Sequence, residues 1–293
     1  MTTTLALLNP HAGRAESGGA AQALTELLVG TQLVVTSSSA EARERILALR
    51  PGQRVIVIGG DGTLQPLLGA LLDRGHELAL LPMGSGNDLA RALGLRRRRL
   101  PELIARLQNA AATPMDLGEL HVDGRETQCF ASSLGVGFDA AVGQRVQISK
   151  LPLRGQLKYL AATFTELSRF KPWHIEVALD GGPLLPVQTL LASCLNTPTY
   201  GAGMRAAPGA LLDDGRLQFL GARGWGRFTA PLALPLMLAG LHRRLPGIEL
   251  CDFETARYLA AEPVPLLLDG EPAAAAARFT VQVRKAALKV VRA

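Results

Sequence analysis

The clearest chemical signal in the sequence is the glycine-rich segment Gly59-Gly60-Asp61-Gly62-Thr63, which directly follows the apolar run Val55–Ile58. A strand that ends in glycines presents backbone N–H groups at the carboxyl edge of a sheet, where ligands bind in open α/β folds. Asp61 would repel a bare phosphate, but its carboxylate could hold Mg²⁺ beside a polyphosphate, directly or through water. Because glycine-rich sequence is also ordinary in a tight turn between a strand and a helix, this segment alone leaves both interpretations open.

Two further small, polar loops follow apolar runs in the first third of the chain. Asn9-Pro10-His11-Ala12-Gly13-Arg14 follows Leu5–Leu8, and Pro82-Met83-Gly84-Ser85-Gly86-Asn87-Asp88 follows Leu78–Leu81. Asn87 suits the N-cap of a helix, whose start favours an anion, although Asp88 could simply complement the helix dipole. Since three such loops would meet at one edge of one sheet, together they favour a phosphate-binding site. The sequence contains neither a GxxxxGK[ST] P-loop nor the set of protein-kinase loops.

Two acidic segments in the second half could be plain turns, or their carboxylates could act as a base or as metal ligands. Asp269-Gly270-Glu271 places two acids around a glycine, and Asp213-Asp214-Gly215 has a similar character. Asp-Gly is a common pair in hairpin turns, so the residues by themselves favour a plain turn at both places.

The order of predicted elements indicates an α/β domain followed by a β-rich domain. Strand and helix signals alternate up to about Pro114, which predicts a Rossmann-like nucleotide-binding domain with a parallel sheet over residues 1–115. Thr63 is the predicted N-cap of the helix after the glycine loop, and Pro66 is tolerable in its first turn. Residues 116–293 form the second predicted domain, mainly antiparallel, whose last strand could return to the first. Its predicted strands are 122–136, 175–179, 187–195, 216–220 and 279–283, with a helix over 155–170 and a loop or strand lead-in over 273–277.

Composition narrows the class of protein. The 293 residues carry a formal net charge of +6, which suits anionic partners such as nucleotides or acidic membrane surfaces. Aromatic residues make up only 4%, too few for the stacking platforms of a nucleic-acid binder. Three dispersed cysteines disfavour a zinc site and fit a reducing compartment. The start of the chain lacks the features of a signal peptide, and prolines break the longest apolar stretch, 230–241, so we expect a soluble or peripheral cytoplasmic protein.

Six motifs follow one another along almost the whole chain. They are Asn9–Gly13, Gly59–Thr63, Pro82–Arg91, Ser133–Ala140, Asn196–Leu217 and Leu268–Glu271. In this order and spacing they resemble the motifs of the diacylglycerol kinase and sphingosine kinase superfamily. The chain length favours the compact bacterial lipid kinases within it.

The resemblance implies an ATP-dependent kinase that phosphorylates the hydroxyl group of a diacylglycerol-like lipid, with Mg²⁺ as cofactor. It places the nucleotide on Asn9, Pro10, Gly13, Arg14, Thr36, Gly59, Gly60, Asp61, Gly62, Thr63, Gly84, Ser85, Asn87 and Asp88. Asp61 would help to place the catalytic Mg²⁺, and Glu271, with Asp269 nearby, would deprotonate or orient the lipid hydroxyl. Asp214 and the backbone carbonyls of Leu211 and Arg216 would bind a structural Mg²⁺.

A lipid substrate also implies contact with a membrane surface. We expect the lipid to enter an apolar cleft in the β-rich domain, with Leu151, Leu153 and Leu157 as candidate lining. Two basic regions could contact anionic lipid: Arg96–Arg99, and the set Arg145, Lys150, Arg154 and Lys158. A homodimer is compatible with this interpretation.

Two departures from the family pattern keep alternatives open. Gln65-Pro66 stands where the family has Asn and Glu, and Ser85 stands where it has Thr, so the preference for a phosphate donor is open. An NAD kinase-like enzyme would share the Gly-Gly-Asp-Gly-Thr loop and the two-domain plan. A non-catalytic nucleotide or lipid sensor would explain Pro66. The identity of the acceptor lipid does not follow from the sequence.

Overall fold

A computed structural model describes residues 4–10, 20–84, 86–97, 99–153, 155–169, 173–201, 203–226 and 228–292. The chain forms two compact units. The first comprises Met1–Met115 with Ala286–Ala293, and the second comprises Asp116–Lys285.

The first unit is built on a parallel sheet. Its strands are β1 (Thr4–Leu8), β2 (Thr31–Val35), β3 (Arg54–Gly59) and β4 (Glu77–Pro82), in the order β2-β1-β3-β4. Its helices are α1 (Ala20–Leu27), α2 (Ser39–Leu47), α3 (Asp61–Leu64), α4 (Leu68–Asp73), α5 (Asp88–Ala92) and α6 (Leu100–Asn109). Val55–Ile58 of β3 are fully buried, as expected for a parallel strand covered on both faces. The predicted parallel α/β sheet is confirmed.

The helix after the first glycine loop differs from the prediction. It begins at Asp61 with Gly60 at its N-cap, so the prediction of Thr63 as the N-cap is wrong. Gln65–Leu67 form a 3₁₀ turn that separates α3 from α4. Pro66 lies in that turn, where its missing N–H removes no α-helical hydrogen bond.

The second unit is mainly antiparallel. Its strands are β5 (Ala112–His121, which begins in the first unit), β6 (Gln128–Phe130), β7 (Ser133–Val136), β8 (Trp173–Leu179), β9 (Leu185–Leu195), β10 (Leu217–Arg223), β11 (Ile248–Phe253), β12 (Thr255–Leu268) and β13 (Glu271–Val291). Its helices are α7 (Phe138–Ile148), α8 (Gly155–Ser168) and α9 (Ala230–Ala239). Antiparallel pairs join β11 to β10, β10 to β9, β9 to β7, β7 to β12 and β12 to β13. The predicted antiparallel character of this half is confirmed.

Two sequence predictions for this unit need correction. The strand predicted over 122–136 is divided, because a turn at Asp123-Gly124 leads into the separate strands β6 and β7. Residues 273–277 lie inside the 21-residue strand β13, since the alanine run pairs with β12. The end of that strand adds Lys289 and Val290 to the parallel sheet beside β4.

Two apolar clusters form the core of the second unit. One lies within the strands, where the rings of Tyr258 and Phe279 stack with their centroids 4.5 Å apart. The other packs α7, α8 and α9 against the sheet through residues such as Phe138, Leu167 and Met237. Among the described residues, no helix combines the length and apolar character needed to cross a bilayer.

Candidate active site

Hydrogen bonds connect the loops at the carboxyl edge of the parallel sheet. The Asn9 amide donates to the Thr63 hydroxyl at 3.0 Å, which joins the loop after β1 to the helix after β3. The Met83 N–H donates to the Gly59 carbonyl at 2.8 Å, which joins the end of β3 to the loop after β4. Buried Thr36 donates through its hydroxyl to the Leu8 carbonyl at 3.3 Å, at the end of β1. The three motifs predicted to act together therefore lie together.

The backbones of two loops touch at Gly60 and Gly84. A Cβ on Gly84 would lie 2.6 Å from the Cα of Gly60, and one on Gly60 would lie 3.0 Å from the Cα of Gly84. Real Cβ atoms do not approach a backbone atom as closely as 2.6 Å, so packing requires glycine at position 84, whereas a Cβ at position 60 would force its neighbour to shift by a few tenths of an ångström. This contact brings the backbones of two glycine-containing loops together, and the backbone N–H groups of such loops can bind phosphate.

Asp61 connects the glycine loop to helix α5. Its carboxylate accepts the N–H of Asp88 at 3.0 Å and the N–H of Leu89 at 3.4 Å. Asn87 occupies the N-cap position as predicted, but in the left-handed region with φ of 53°. Its amide donates to the Gly84 carbonyl at 2.5 Å, so the carboxylate of Asp61, not the side chain of Asn87, caps α5.

The acidic side chains at this edge of the sheet could bind a metal ion that enters together with the substrate phosphates. Among the described residues, no three His, Cys, Asp or Glu side chains form a group that could hold a metal. Mg²⁺ bound to substrate phosphates commonly uses only one or two carboxylates, with waters completing its shell. The oxygens of Asp61 and of buried Asp88 are ligands of the right hardness for that ion.

The remaining predicted nucleotide residues divide into two groups. Pro10 and Gly62 lie in the same loops, in a turn after β1 and in α3. Gly13, Arg14 and Ser85 lie outside the described residues.

In the second unit, Asp269 and Gly270 form the two-residue turn between β12 and β13. Both have positive φ, 50° and 90°, and Leu268 pairs directly with Glu271. This geometry matches the turn type that favours Asp-Gly in hairpins. The turn directs the two acids to different surroundings.

The buried carboxylate of Asp269 is held by backbone N–H groups at the start of β7. It accepts from Ala131 and Ser132 at 2.7 Å and from Ser133 at 2.9 Å. A carboxylate that accepts three hydrogen bonds anchors the chain, and most of its lone pairs are already used in those bonds.

Glu271 is half-buried and less committed. The amide of Gln147 in α7 donates to its carboxylate at 3.2 Å and to the Gly270 carbonyl at 2.9 Å. Burial raises the pKa of Glu271 above its usual value, and the hydrogen bond from Gln147 opposes this in part. A raised pKa in a partly accessible carboxyl is typical of a general base.

An apolar cavity lies beneath α7 and α8. It is lined by aromatic and aliphatic side chains that include Phe138, Val142, Tyr159 and Met204. The prediction that Leu151, Leu153 and Leu157 line the cleft is wrong, because all three are solvent-exposed and the lining comes from the inward faces of the helices.

The carboxyl group of Asp139 also lines this cavity. The Ser193 hydroxyl donates to its carboxylate at 2.5 Å, and the Ala140 N–H donates at 2.9 Å. Burial raises the pKa of Asp139 to about 7, against the effect of these donors.

An acid of β5, Asp116, holds the predicted metal turn, and sequence reasoning missed it. Exposed Asp214 accepts the N–H of Arg216 at 3.0 Å. Buried Asp116 accepts the N–H of Gly215 at 2.6 Å, and its own N–H donates to Leu212 at 2.7 Å. These contacts stabilise the turn that presents the Leu211, Asp214 and Arg216 oxygens, which are hard donors suited to Mg²⁺.

Gln147 and Asp116 carried no sequence signal of their own. Each acts on a residue more than 90 positions away in the chain, so neither spacing nor periodicity could have connected them. Asp139 stood at the end of a recognised motif, but its burial and its partner Ser193 follow only from the fold.

Family models match both halves of the chain. The diacylglycerol kinase catalytic domain matches residues 3–120, and the YegS C-terminal NAD kinase beta sandwich-like domain matches residues 132–292.

Relatives and solved structures agree with these matches. A diacylglycerol kinase of Mycobacterium tuberculosis is 29% identical over 258 residues, covering 86% of this chain and 82% of the relative. A diacylglycerol kinase of Bacillus subtilis is 28% identical, covering 76% of this chain and 73% of the relative. A crystal structure of a diacylglycerol kinase from Bacillus anthracis superposes with a TM-score of 0.71, covering 100% of this chain and 97% of that one. Because the sequence identity is 16%, this likeness shows the fold alone. The chain therefore belongs to the family of diacylglycerol kinases and YegS-like lipid kinases, and it is a phosphotransferase, as its motifs had indicated.

Proposed function

We propose that this enzyme transfers the γ-phosphoryl group of ATP to the hydroxyl group of a diacylglycerol-like lipid. The observation that carries the proposal is helix α7. Its first half lines the apolar cavity through Phe138 and Val142, and its last turn contacts Glu271 through Gln147. From Val142 to Gln147 the helix rises by roughly 7 Å, so an acyl-chain site and a candidate base lie along one rigid element.

In this proposal the nucleotide binds to the first unit. The touching backbones at Gly60 and Gly84 and the linked loop ends at Asn9 and Thr63 would bind the phosphate chain. Asp61, with Asp88 beside it, would orient Mg²⁺, which neutralises charge on the phosphates when it is bound. A second Mg²⁺ at Asp214 would have a structural role.

The acceptor belongs to the second unit. We assign the base to Glu271, which accepts the proton of the lipid hydroxyl, because its carboxylate is only partly buried and has a raised pKa. Asp269 holds the turn that presents Glu271. An apolar cavity suits an acyl chain and does not suit the polar dinucleotide of an NAD kinase-like enzyme, which favours the lipid interpretation over that alternative.

The same proposal implies a cytoplasmic location at the inner face of a membrane, because ATP and lipid meet there. The predicted homodimer stays a prediction.

A transfer assay tests the proposal. The purified chain is incubated with γ-labelled ATP, Mg²⁺ and, in separate reactions, diacylglycerol, monoacylglycerol, sphingosine and NAD. We expect label in phosphatidic acid at the highest rate. Labelled NADP without any labelled lipid would contradict the proposal, and so would ATP binding without transfer to any acceptor.

A further inference from the structure

Apolar side chains are exposed around α7 and α8 of the second unit. They lie at the end of α7, in the following loop, on α8 and before α9, and they are 36–78% exposed: Ile148, Leu151, Leu153, Leu157, Phe164 and Phe228. We call these six residues the apolar patch. Leu157 and Phe164 are seven positions apart, which places them two turns apart on one face of α8. Phe164 and Phe228 line one surface pocket, so the patch is continuous from α8 to the segment before α9.

Helix α8 is apolar on two faces. Tyr159, Thr163 and Leu167 face inward and line the cavity. Leu157 and Phe164 lie away from that face and are exposed. A surface helix of a globular protein normally carries polar residues there, so large apolar residues at these positions indicate a surface that is covered in use.

The charge around the patch favours an anionic cover. From Arg145 to Arg169 the sequence contains five basic residues and a single acid, Glu166. That acid is paired with Arg145 at 2.6 Å. Lys150 and Lys158 thus add positive charge beside the exposed leucines. Apolar side chains bordered by lysines are the composition of surfaces that lie in a lipid–water interface.

We propose that the apolar patch inserts into an anionic lipid bilayer and admits the acceptor lipid directly from it. This inference rests on the proposed function for the identity of the acceptor. A long acyl chain cannot cross water cheaply, because the cost grows with each methylene group exposed. A cavity that accepts such a chain therefore needs an entrance in contact with the bilayer. Leu167 of α8 lines both the cavity and the surface pocket of Phe164 and Phe228, so the apolar patch and the cavity adjoin at this helix.

Vesicle partition of matched variants tests the proposal. The double variant Ile148→Asp/Phe164→Asp places carboxylates on the apolar patch, and Leu185→Asp changes an exposed leucine of β9 as the control. Binding of the full chain is measured by flotation with phosphatidylcholine vesicles containing phosphatidylglycerol. We expect the partition coefficient of the double variant to fall at least tenfold and that of Leu185→Asp to stay within twofold of the wild type.

Two acceptors separate this inference from the proposed function. With long-chain diacylglycerol in vesicles, the rate of the double variant should fall in parallel with its binding. With water-soluble dibutyrylglycerol, its rate should stay within twofold of the wild type. If the wild type phosphorylates neither acceptor, the proposed function fails, while the partition measurement still decides the inference.

Other outcomes overturn the inference. Undiminished partition of the folded double variant would do so. The inference also fails if the wild type is a dimer and the double variant disrupts that dimer without any change in partition. The apolar patch would then be an interface between copies of the chain. If the double variant does not fold, Lys150→Glu/Lys158→Glu replaces it. The inference then requires weaker partition onto anionic vesicles only, and it fails if partition onto them is unchanged.

Discussion

At the scale of residues, the two carboxylates around the turn between β12 and β13 have different surroundings. Asp269 is buried and accepts three backbone N–H groups, whereas Glu271 is half-buried and accepts one amide. A base must exchange a proton with a substrate, which requires access and a raised pKa. Glu271 has both properties, so the substitutions below should separate the two acids.

We expect Glu271→Gln to reduce kcat by roughly two to four orders of magnitude, the usual effect of removing a general base. Glutamine keeps the shape and can still meet Gln147, so ATP binding and the melting temperature should be unchanged. Steady-state kinetics and titration with ATP-Mg²⁺ measure these effects. Retention of full kcat would show that the base lies elsewhere.

The pH profile of the wild type should report the same carboxyl. A base must be deprotonated, so activity should fall as pH drops through a pKa above the usual glutamate value. Gln147→Leu removes the hydrogen bond that lowers this pKa, so the acidic limb of kcat/KM should move to higher pH. Gln144→Leu, on the same helix, is the control. A limb that stays in place in Gln147→Leu would contradict the assignment of Glu271.

The contact between Gly60 and Gly84 predicts a specific loss of nucleotide binding. In Gly84→Ala the new methyl group would lie 2.6 Å from the Gly60 backbone, so the two loops must separate. We expect KM for ATP to rise by roughly tenfold or more, equivalent to about 1.4 kcal/mol. Gly69→Ala in α4 is the matched control, because nothing lies within 4 Å of its new methyl group. Equal KM values for the two variants would show that the contact does not shape the site.

At the scale of elements, the turns that contain the proposed base and the proposed metal ligands are each held by a buried carboxylate. The turn between β12 and β13 is fastened to the start of β7 by Asp269, and the turn before β10 is fastened to β5 by Asp116. In both, a buried carboxylate satisfies backbone N–H groups from a distant part of the chain. Such anchors are structural, and their removal should affect stability before chemistry.

We expect Asp269→Asn to lower the free energy of unfolding by roughly 1–3 kcal/mol, because the amide cannot satisfy all three buried donors. The melting temperature should fall by roughly 2–4 °C for each kcal/mol in a protein of this size. Glu271→Gln should not change it. Calorimetry of both variants tests the division of roles, and a stable but inactive Asp269→Asn would reverse it.

The turn at Asp214 predicts a metal-dependent stability. If it binds Mg²⁺ only when folded, the ion stabilises the fold by mass action, by about 2.7 kcal/mol at one hundred times its Kd. Addition of EDTA should therefore lower the melting temperature of the wild type, and Asp214→Ala should abolish this difference. Asp213→Ala, at the neighbouring exposed position, is the control. Identical melting curves with and without EDTA would show a plain turn.

At the scale of the whole molecule, the titration of Asp139 should contribute to the pH dependence of the free energy of unfolding. Its pKa is near 4 when unfolded and about 7 when folded, so the folded state binds more protons between these values. Stability from this group is therefore lost as pH rises from about 4 to 7.

Asp139→Asn cannot ionise and should remove this part of the pH dependence. The free energy of unfolding of the variant, compared with that of the wild type, should therefore increase by roughly 1–4 kcal/mol as the pH rises from 4 to 8. Urea unfolding at both pH values measures the difference. A difference between the two proteins that does not depend on pH would contradict a shifted Asp139.

The sequence by itself determined the α/β and β-rich halves and most of the loops at the carboxyl edge of the parallel sheet. These features are local: an apolar run followed by Gly-Gly-Asp-Gly-Thr predicts a buried strand and a loop, whatever lies elsewhere in the chain. The motifs around Asp61, Asp214 and Glu271 were equally visible, and their order along the chain identified the family.

Only the tertiary structure decided what the individual side chains do. Asp61 rather than Asn87 caps α5, Asp269 is an anchor while Glu271 has the raised pKa, and Leu157 is exposed while Tyr159 lines the cavity. Burial and hydrogen-bond partners at these positions come from segments far apart in sequence, such as residues 131 and 269. Residue type and spacing specify which groups are present, but pKa values, exposure and the division of roles depend on long-range packing.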